Sequence, residues 1–238
     1  PRWAMFFVAY RVRLYKVTQA LLRYGQTWKH SNVSFIVPGF ASMYRCSVLS
    51  QIDITAPGLV IEDFNMTFEL HHKHLGRIAY SPRVRCASQD PTNLRDYFKQ
   101  VRRWDLGFWQ TVRRHGLWPS FFWASLGTFI GEMFLQSITF MTVPFLIGWF
   151  IWYPEEVVNL WLPLGVVQVG LLDVLIGVVV ADYALTVAVA LLERKPVMFI
   201  YGLGFLLPRW IDSLLFLYTL PMAYFVHSDG RWVSPKRA

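Results

Sequence analysis

The 238-residue chain is 55% hydrophobic and only 16% charged, which excludes an ordinary soluble domain and indicates a membrane protein. Its net charge of +8 suits anionic lipid or a phosphate-bearing ligand. Nucleic acid is excluded as a partner, because no helix-turn-helix or RNA-binding signature accompanies the charge. The two cysteines, Cys46 and Cys86, are too few for a disulfide framework or a zinc site, so we expect them to be reduced and structural.

The charged residues are concentrated before His115, whereas the sequence beyond Pro119 is strongly apolar. We therefore predict a cytosolic domain over residues 1–118, a transmembrane region over 119–227 and a C-terminal tail over 228–238. No signal peptide is recognisable at the N-terminus. Because the sequence starts with Pro inside an amphipathic helical pattern, we interpret it as a piece of a longer protein.

Within the first domain, apolar residues at helical spacing predict a long helix over residues 3–29. A second helix is predicted to follow residue 61 and to end at Gly76, and a third to begin at Asp90 and Pro91. Strands are predicted for short β-branched or aromatic runs bounded by turn residues: 33–37, 59–61 and a pair around Ser81 and Pro82.

Three apolar blocks follow Pro119. A helix of about thirty residues rises roughly 45 Å, against a hydrocarbon core of about 30 Å, so each block is predicted to cross once. The predicted spans lie near residues 126–152, 160–192 and 197–226. The acidic loop YPEEVVN is predicted outside and the basic loop ERKP inside, together with the N-terminal domain. Three crossings would leave the tail outside, whereas its basic character favours the cytosol, and the side of the tail stays open.

Four charged residues lie within the apolar blocks: Asp173, Asp182, Arg209 and Asp212. An unpaired charge there costs about 2.5–3.5 kcal/mol on insertion scales, so each is expected to face a partner or a polar channel. Pairing between helices and the lining of a channel are both compatible with the sequence.

Two carboxylates, Glu62 and Asp63, follow the predicted strand at residues 59–61. Ligands bind at the carboxyl ends of strands in α/β sheets, and a carboxylate at that edge can act as a general base. The alternative is that Asp63 caps the following helix.

The third predicted helix places Gln100, Arg103 and Trp104 on one face, at positions i, i+3 and i+4. A guanidinium that binds phosphate, an indole that stacks on a sugar and an amide that binds a hydroxyl together indicate a ligand that is part phosphate and part sugar. The alternative is an interfacial helix with snorkelling arginines and an aromatic belt. We assign Phe108, Trp109 and the cations beyond them to that membrane-surface role.

These residues occur in segments that resemble a known family. QVRRW (residues 100–104) matches the Gln-x-x-Arg-Trp signature of processive family 2 glycosyltransferases, the membrane synthases of cellulose, chitin and hyaluronan. IED (residues 61–63) resembles their Thr-Glu-Asp motif, with Ile in place of Thr, and VPGFASMYRCSVL resembles their acceptor-side segment. The resemblance covers roughly residues 33–116. It implies an α/β plus membrane α-helical fold: the C-terminal half of a GT-A, Rossmann-like domain followed by about three transmembrane helices.

The resemblance also implies roles for individual residues. Asp63 would be the general base that deprotonates the acceptor hydroxyl, with Glu62 beside it. The resemblance further assigns substrate-binding roles to residues of the third helix: Arg103 and Arg102 would hold the nucleotide diphosphate, and Gln100 and Trp104 would line the acceptor site. In the tail, Trp232 resembles the tryptophan of a gating segment.

The family binds its UDP-sugar donor and a divalent metal, Mg²⁺ or Mn²⁺, through an Asp-x-Asp motif that this sequence lacks. We therefore expect the metal ligands in an N-terminal half, present as a separate chain or as the remainder of the same protein. Further expected partners are the growing polysaccharide, the lipid bilayer and a second copy of the chain. The expected location is the plasma or inner membrane, with the protein multi-pass and its catalytic part cytosolic.

Two alternatives remain open at this point. One is a non-processive membrane glycosyltransferase that forms a glycolipid, and the other is a non-catalytic channel or scaffold subunit. A metal site at His71, His72 and His74 is a weaker candidate, since histidines near a helix C-terminus are favourable without any ligand.

Overall fold

The computed structural model describes residues 2–39, 42–84, 86, 89–155, 157–162 and 165–226. This part of the chain is mainly helical, with one antiparallel hairpin made of β1 (Val157–Leu162) and β2 (Gly165–Gly170). Its helical segments are α1 (Arg2–Val17), a π-helix (Thr18–Arg23), α2 (Tyr24–Gln26), α3 (Cys46–Leu49), α4 (Glu62–His72), α5 (Leu94–His115), α6 (Phe121–Trp152), α7 (Leu171–Glu193), α8 (Val197–Gly202) and α9 (Leu206–Phe225).

The chain divides into two compact units. The first unit contains α1 to α5, the first part of α6 and the C-terminal half of α9. The second unit comprises residues 134–214.

The strands predicted at 33–37 and 59–61 are wrong: the first run is extended chain without a partner strand in the described part, and the second contains a bend at Val60. In the run 33–37, side chains of α4 bind the backbone in place of a neighbouring strand. Val37 donates its N–H to Thr67 Oγ1 at 3.0 Å, and the Ser34 carbonyl accepts from His71 Nε2 at 2.8 Å. Over the described residues the Rossmann-like sheet is therefore not seen. Of the strand pair predicted around Ser81, positions 85, 87 and 88 lie outside the described residues.

Helix α5 is bounded by its own sequence. The Asn93 side chain caps its start by accepting the Asp96 N–H at 2.9 Å, so the helix begins three residues beyond Pro91. It ends at Gly116, whose φ of 62° is the left-handed conformation that glycine adopts without strain. Midway, a Cβ on Gly107 would lie 2.9 Å from Ile61 Cβ, so this glycine lets α5 lie directly against the residue that precedes the two carboxylates.

The second half of α5 packs in the first unit instead of facing a membrane surface. Phe108 and Trp109 are each only 5% exposed. Phe108 contacts Phe64 of α4, with ring centroids 5.5 Å apart, and Trp109 Nε1 donates to the Phe216 carbonyl of α9 at 3.1 Å. The membrane-surface role predicted for these two side chains is therefore wrong, because the helices on both sides bury them.

Two described helices, α6 and α7, are long and apolar enough to cross a membrane. Their most apolar windows are only 11% and 22% buried, whereas the core helix of a soluble protein would be mostly buried. The third predicted span, 197–226, contains two helices, α8 and α9, and neither is among the described helices long and apolar enough to cross. The span predicted over 160–192 begins too early, since β-branched valines favour the β1–β2 hairpin over residues 157–170.

An ion pair is buried within the second unit. Arg209 Nε lies 3.3 Å from Asp182 Oδ1, and these two side chains are 19% and 3% exposed. The guanidinium also donates to Gln136 Oε1 at 3.0 Å and lies 4.8 Å from the ring centroid of Phe140. The expectation that these apolar-block charges face partners is confirmed for Arg209 and Asp182.

Replacing one member of this pair should strongly destabilise the protein. In Asp182→Asn the buried guanidinium keeps its charge and loses its counter-charge, which should cost about 3 kcal/mol of unfolding free energy. Thermal unfolding of the detergent-purified chain measures this cost, and Asp173→Asn, an exposed carboxylate in the same helix, is the matched control. Adding Arg209→Gln should recover part of the loss, and full additivity of the two substitutions would contradict the pairing.

Candidate active site

Asp63 lies in the first turn of α4 but does not cap it. The helix is capped at Ile61 without any side-chain hydrogen bond. Instead, Asp63 Oδ2 accepts the backbone N–H of Gly39 at 2.8 Å. The capping alternative is therefore wrong, and the carboxylate is held against the turn that follows residues 33–38.

The surroundings of Asp63 make it more basic than an ordinary aspartate. Burial raises its pKa and the neighbouring Glu62 carboxylate raises it further, while the Gly39 N–H and the Arg103 guanidinium lower it. The net result is a raised pKa. A carboxylate with a raised pKa that is still held in place by one hydrogen bond suits a general base.

Tyr44 is a neighbour of the carboxylates that the sequence analysis did not single out. Burial, followed by the charges of Asp63 and Glu62, raises the pKa of Tyr44 to about 12. Its hydroxyl therefore remains protonated and can donate a hydrogen bond. The only sequence signal was its place in the segment VPGFASMYRCSVL.

The face predicted for α5 is present, and a cation from α1 lies on it. Arg11 Nη2 donates to Gln100 Oε1 at 2.7 Å. Its guanidinium carbon is 4.5 Å from the ring centroid of Trp104 and 4.8 Å from that of Tyr97. Arg11 is only 3% exposed, so α1 fixes the Gln and Trp of the QVRRW segment through one buried guanidinium.

Arg11 also faces a half-buried acid, Asp90, which precedes α5 in the chain. Burial raises the pKa of Asp90, and Arg11 and Tyr15 oppose that rise. In the same cluster, burial raises the pKa of Tyr15 to about 12. Arg11 Nε and Asp90 Oδ1 are buried without hydrogen-bond partners among the residues described. Sequence analysis missed Arg11 because a helical cation reads as a solvated side chain unless its partners are known.

Arg103, the third residue of the predicted face, is close enough to Asp63 to lower its pKa. Arg103 also lines a cavity of about 750 Å³ together with Arg102. Two guanidiniums in one cavity can hold a diphosphate, and Arg103 would bring that diphosphate near the base. The remaining predicted site residue, Trp232, lies outside the described residues.

The histidines near the site serve packing and hydrogen bonding. His71 stacks on Phe122 and His72 on Trp118, with centroid distances of 4.3 and 4.7 Å. His115 Nε2 lies 2.8 Å from Asn65 Oδ1, and burial is the main cause that lowers its pKa to about 4. Across the described part of the chain, no three His, Cys, Asp or Glu side chains converge as metal ligands would.

Comparison with known proteins identifies a family that this chain matches. A family model described as glycosyl transferase family group 2 matches residues 5–226, which is most of the chain. The chain belongs to this glycosyltransferase family. No match was found in searches of the curated proteins and of the solved structures. The protein is thus an enzyme that transfers a glycosyl group, and the match spans α1, the carboxylates of α4, the face of α5 and the helices beyond.

The glycosyltransferase offers a direct test of the contact between Gly39 and Asp63. A Cβ on Gly39 would lie 2.8 Å from Asp63 Oδ1, so Gly39→Ala should displace the carboxylate and break its hydrogen bond. We expect kcat to fall about tenfold, the scale of a lost hydrogen bond to a charged group. Gly25→Ala is the matched control, since its Cβ would enter open space. Unchanged kcat in Gly39→Ala, with the Gly25→Ala control also unchanged, would show that the contact is irrelevant to the reaction.

Proposed function

We propose that this glycosyltransferase is the C-terminal part of an inverting, processive enzyme that polymerises a sugar from a UDP-sugar donor and helps to translocate the polysaccharide across a membrane. The observation that carries the proposal is Asp63, a carboxylate of raised pKa held by Gly39 and coupled to Arg103. In this proposal, a base on one side of the anomeric carbon and a diphosphate-binding cation on the other suit a single displacement of the diphosphate by the acceptor hydroxyl.

In the proposed reaction, Asp63 takes the proton from the acceptor hydroxyl as that oxygen attacks the anomeric carbon. The bond from the anomeric carbon to the diphosphate breaks on the opposite face, which inverts the configuration. Arg103 and Arg102 stabilise the negative charge of the leaving diphosphate. Glu62, exposed beside Asp63, keeps the pKa of the base raised.

Gln100 and Trp104 would form the acceptor side of the site. An indole presents a face on which a sugar ring can stack, and an amide can bind its hydroxyl groups. Arg11 already binds the Gln100 carbonyl oxygen, so the amide nitrogen is the group that faces an acceptor hydroxyl. Arg11 is therefore a positioning residue for the acceptor in this proposal.

The residues present do not fit a divalent metal site within the described part of the chain. We accordingly place the Mg²⁺ or Mn²⁺ ligands and most of the donor site in an N-terminal half, and no step above depends on the metal.

We further propose that α6 and α7 cross the plasma or inner membrane and that residues 1–118 face the cytosol. The length and apolar composition of these helices support the crossing. The basic character of the first domain and of the loop at Arg194 and Lys195 supports the orientation.

Reconstitution with the N-terminal half tests the function. The complete pair in lipid vesicles with a UDP-sugar and Mg²⁺ should release UDP and produce long polymer on a gel. A single added sugar on a lipid would instead identify the non-processive glycolipid-forming enzyme. Absence of UDP release from a complete, folded pair would identify a non-catalytic channel or scaffold subunit.

The raised pKa of Asp63 predicts a pH profile. Since protonated Asp63 cannot act as a base, kcat should fall as pH drops through the pKa of Asp63, at a pH above the usual aspartate range. Arg103 lowers that pKa, so Arg103→Gln should move the acidic limb of kcat to still higher pH. Lys29→Gln, which removes an exposed cation, should leave the limb unchanged. A limb that moves to lower pH in Arg103→Gln would contradict the assignment.

A further inference from the structure

The groove beside α5 continues the seam along which α9 packs. Leu94, Phe98 and Arg102 recur every four residues, and the same side of the helix carries Trp109 and Arg113 further on. The end of α9 covers that further part, where Trp109 and Arg113 donate to carbonyls of Phe216 and Ala223 at 3.1 and 2.8 Å. Helix α9 ends at Phe225, and the next residue, Val226, lines the groove. The α5 groove therefore begins where the helix packing stops. It is the cavity that Arg102 and Arg103 line at the candidate site, and it extends along α5 to Leu94, Arg95, Phe98 and Lys99.

The α5 groove combines apolar side chains with cations. Leu94 and Phe98 are large apolar residues that are 48% and 40% exposed. Arg95 and Lys99 are exposed beside them and Arg102 is half-buried. The acids nearest in sequence, Asp96 and Asp105, do not line it. A cavity of about 750 Å³ of this kind suits an occupant with an apolar body and an anionic end.

The neighbouring end of α9 indicates where that occupant comes from. Tyr224 and Phe225 are 56% and 79% exposed, and Arg113 lies 5.0 Å over the Tyr224 ring. Exposed aromatic side chains with a stacked arginine are typical of the boundary between headgroups and acyl chains. The chain's own tail is a poor occupant by charge, since GRWVSPKRA brings Arg231, Lys236 and Arg237 to a groove that is already cationic.

We propose that the part of the α5 groove near the start of the helix binds an anionic phospholipid, with an acyl chain against Leu94 and Phe98 and the phosphate against Arg95 and Lys99. Juxtamembrane cations attract anionic headgroups. Here the cations flank an apolar groove that would hold the acyl chain of the lipid and so keep its phosphate near them. The lipid would brace the first half of α5, the helix that carries Gln100 and Trp104, as α9 braces the second half. Arg95 and Lys99 have no role in the proposed reaction, which uses Arg102 and Arg103 of the same cavity, so this inference can fail separately from the proposed function.

The test uses the full chain in phosphatidylcholine nanodiscs that contain a trace of photoactivatable phosphatidylglycerol. After illumination, mass spectrometry should find the label on α5, and unlabelled phosphatidylglycerol should compete at lower concentration than phosphatidylcholine. Arg95→Gln/Lys99→Gln should reduce the labelling of α5 about tenfold or more. Lys29→Gln/Arg45→Gln, which removes two exposed cations elsewhere, should leave it unchanged, and equal melting temperatures should show that both variants fold.

Four results would overturn the proposal. Equal labelling by a photoactivatable phosphatidylcholine would show a merely apolar surface, and equal labelling of the Arg95→Gln/Lys99→Gln variant would show that the cations do not select the lipid. Competition by glycerol 3-phosphate as effective as that by phosphatidylglycerol would show a phosphate site without a lipid preference. Loss of α5 labelling when the N-terminal half is added would assign the groove to a protein interface.

Discussion

Asp63→Asn should reduce kcat by about 10²- to 10⁴-fold, the range for loss of a general base, while the KM for the donor changes little. The amide keeps the size of the side chain, and its oxygen can still accept the Gly39 N–H, so the fold around α4 should remain intact. It cannot take a proton from the acceptor hydroxyl. Measurement of UDP release by the complete enzyme at saturating donor gives kcat directly.

Two further variants separate basicity from charge. Asp63→Glu retains a carboxylate at a longer reach and should recover part of the activity. Asp96→Asn removes a partly exposed carboxylate from the first turn of α5 and should change kcat less than twofold, which is the scale of a surface charge. If Asp63→Asn turned over as fast as the unmodified enzyme, Asp63 would not be the base and the proposed mechanism would be wrong.

Sequence reasoning located the candidate site better than its surroundings. The spacing of Gln100, Arg103 and Trp104 predicted a shared helical face, and the structure places these residues on α5, with Gln100 and Trp104 against Arg11. Local periodicity is sufficient for that prediction, because i, i+3 and i+4 positions adjoin on any helix. Their catalytic and binding roles stay predictions.

The strand predictions failed for a different physical reason. A β-branched run such as 33–37 favours extended backbone, but a strand also needs a neighbour to complete its ladder. Here Thr67 and His71 of α4 supply hydrogen bonds instead. The same limitation hid the hairpin at 157–170, whose valines suit a strand and an apolar helix equally well by hydropathy alone.

Burial was the least predictable property of the site. Tryptophan is a residue type common at membrane interfaces, so the sequence suggests that role for Trp109. Only its contact with Phe216, 107 positions further along the chain, shows that Trp109 is buried. Arg11 is the opposite case, a cation that sequence analysis treats as solvated and that the fold buries 89 positions from its partner Gln100. Contacts over such distances in sequence are set by tertiary packing, which no local pattern records.

Arg11→Lys should lower kcat/KM for the acceptor about tenfold or more. A lysine can donate to Gln100 Oε1, but it cannot also lay a planar guanidinium between the Trp104 and Tyr97 rings. The substitution removes two buried cation–π contacts of the guanidinium. The lysine ammonium can replace the charge-assisted hydrogen bond to Gln100, so it recovers only part of the lost interaction energy. We expect the KM for the acceptor to rise and the KM for the donor to stay unchanged. The reason is that Arg11 contacts Gln100 and Trp104, the residues proposed to bind the acceptor.

Arg13→Lys is the matched control for burial. Arg13 lies on the same helix, is 2% exposed and also stacks on a tyrosine, Tyr10, at 5.2 Å. If Arg11 acted only through stability, both variants would melt earlier and neither would alter the acceptor KM of the folded enzyme. A positioning role instead predicts that Arg11→Lys and Trp104→Ala are non-additive, because each removes the same restraint on the acceptor face. Additive effects on acceptor KM would leave Arg11 as a packing residue, whereas coupling would make the buried guanidinium of α1 part of how this enzyme holds its acceptor.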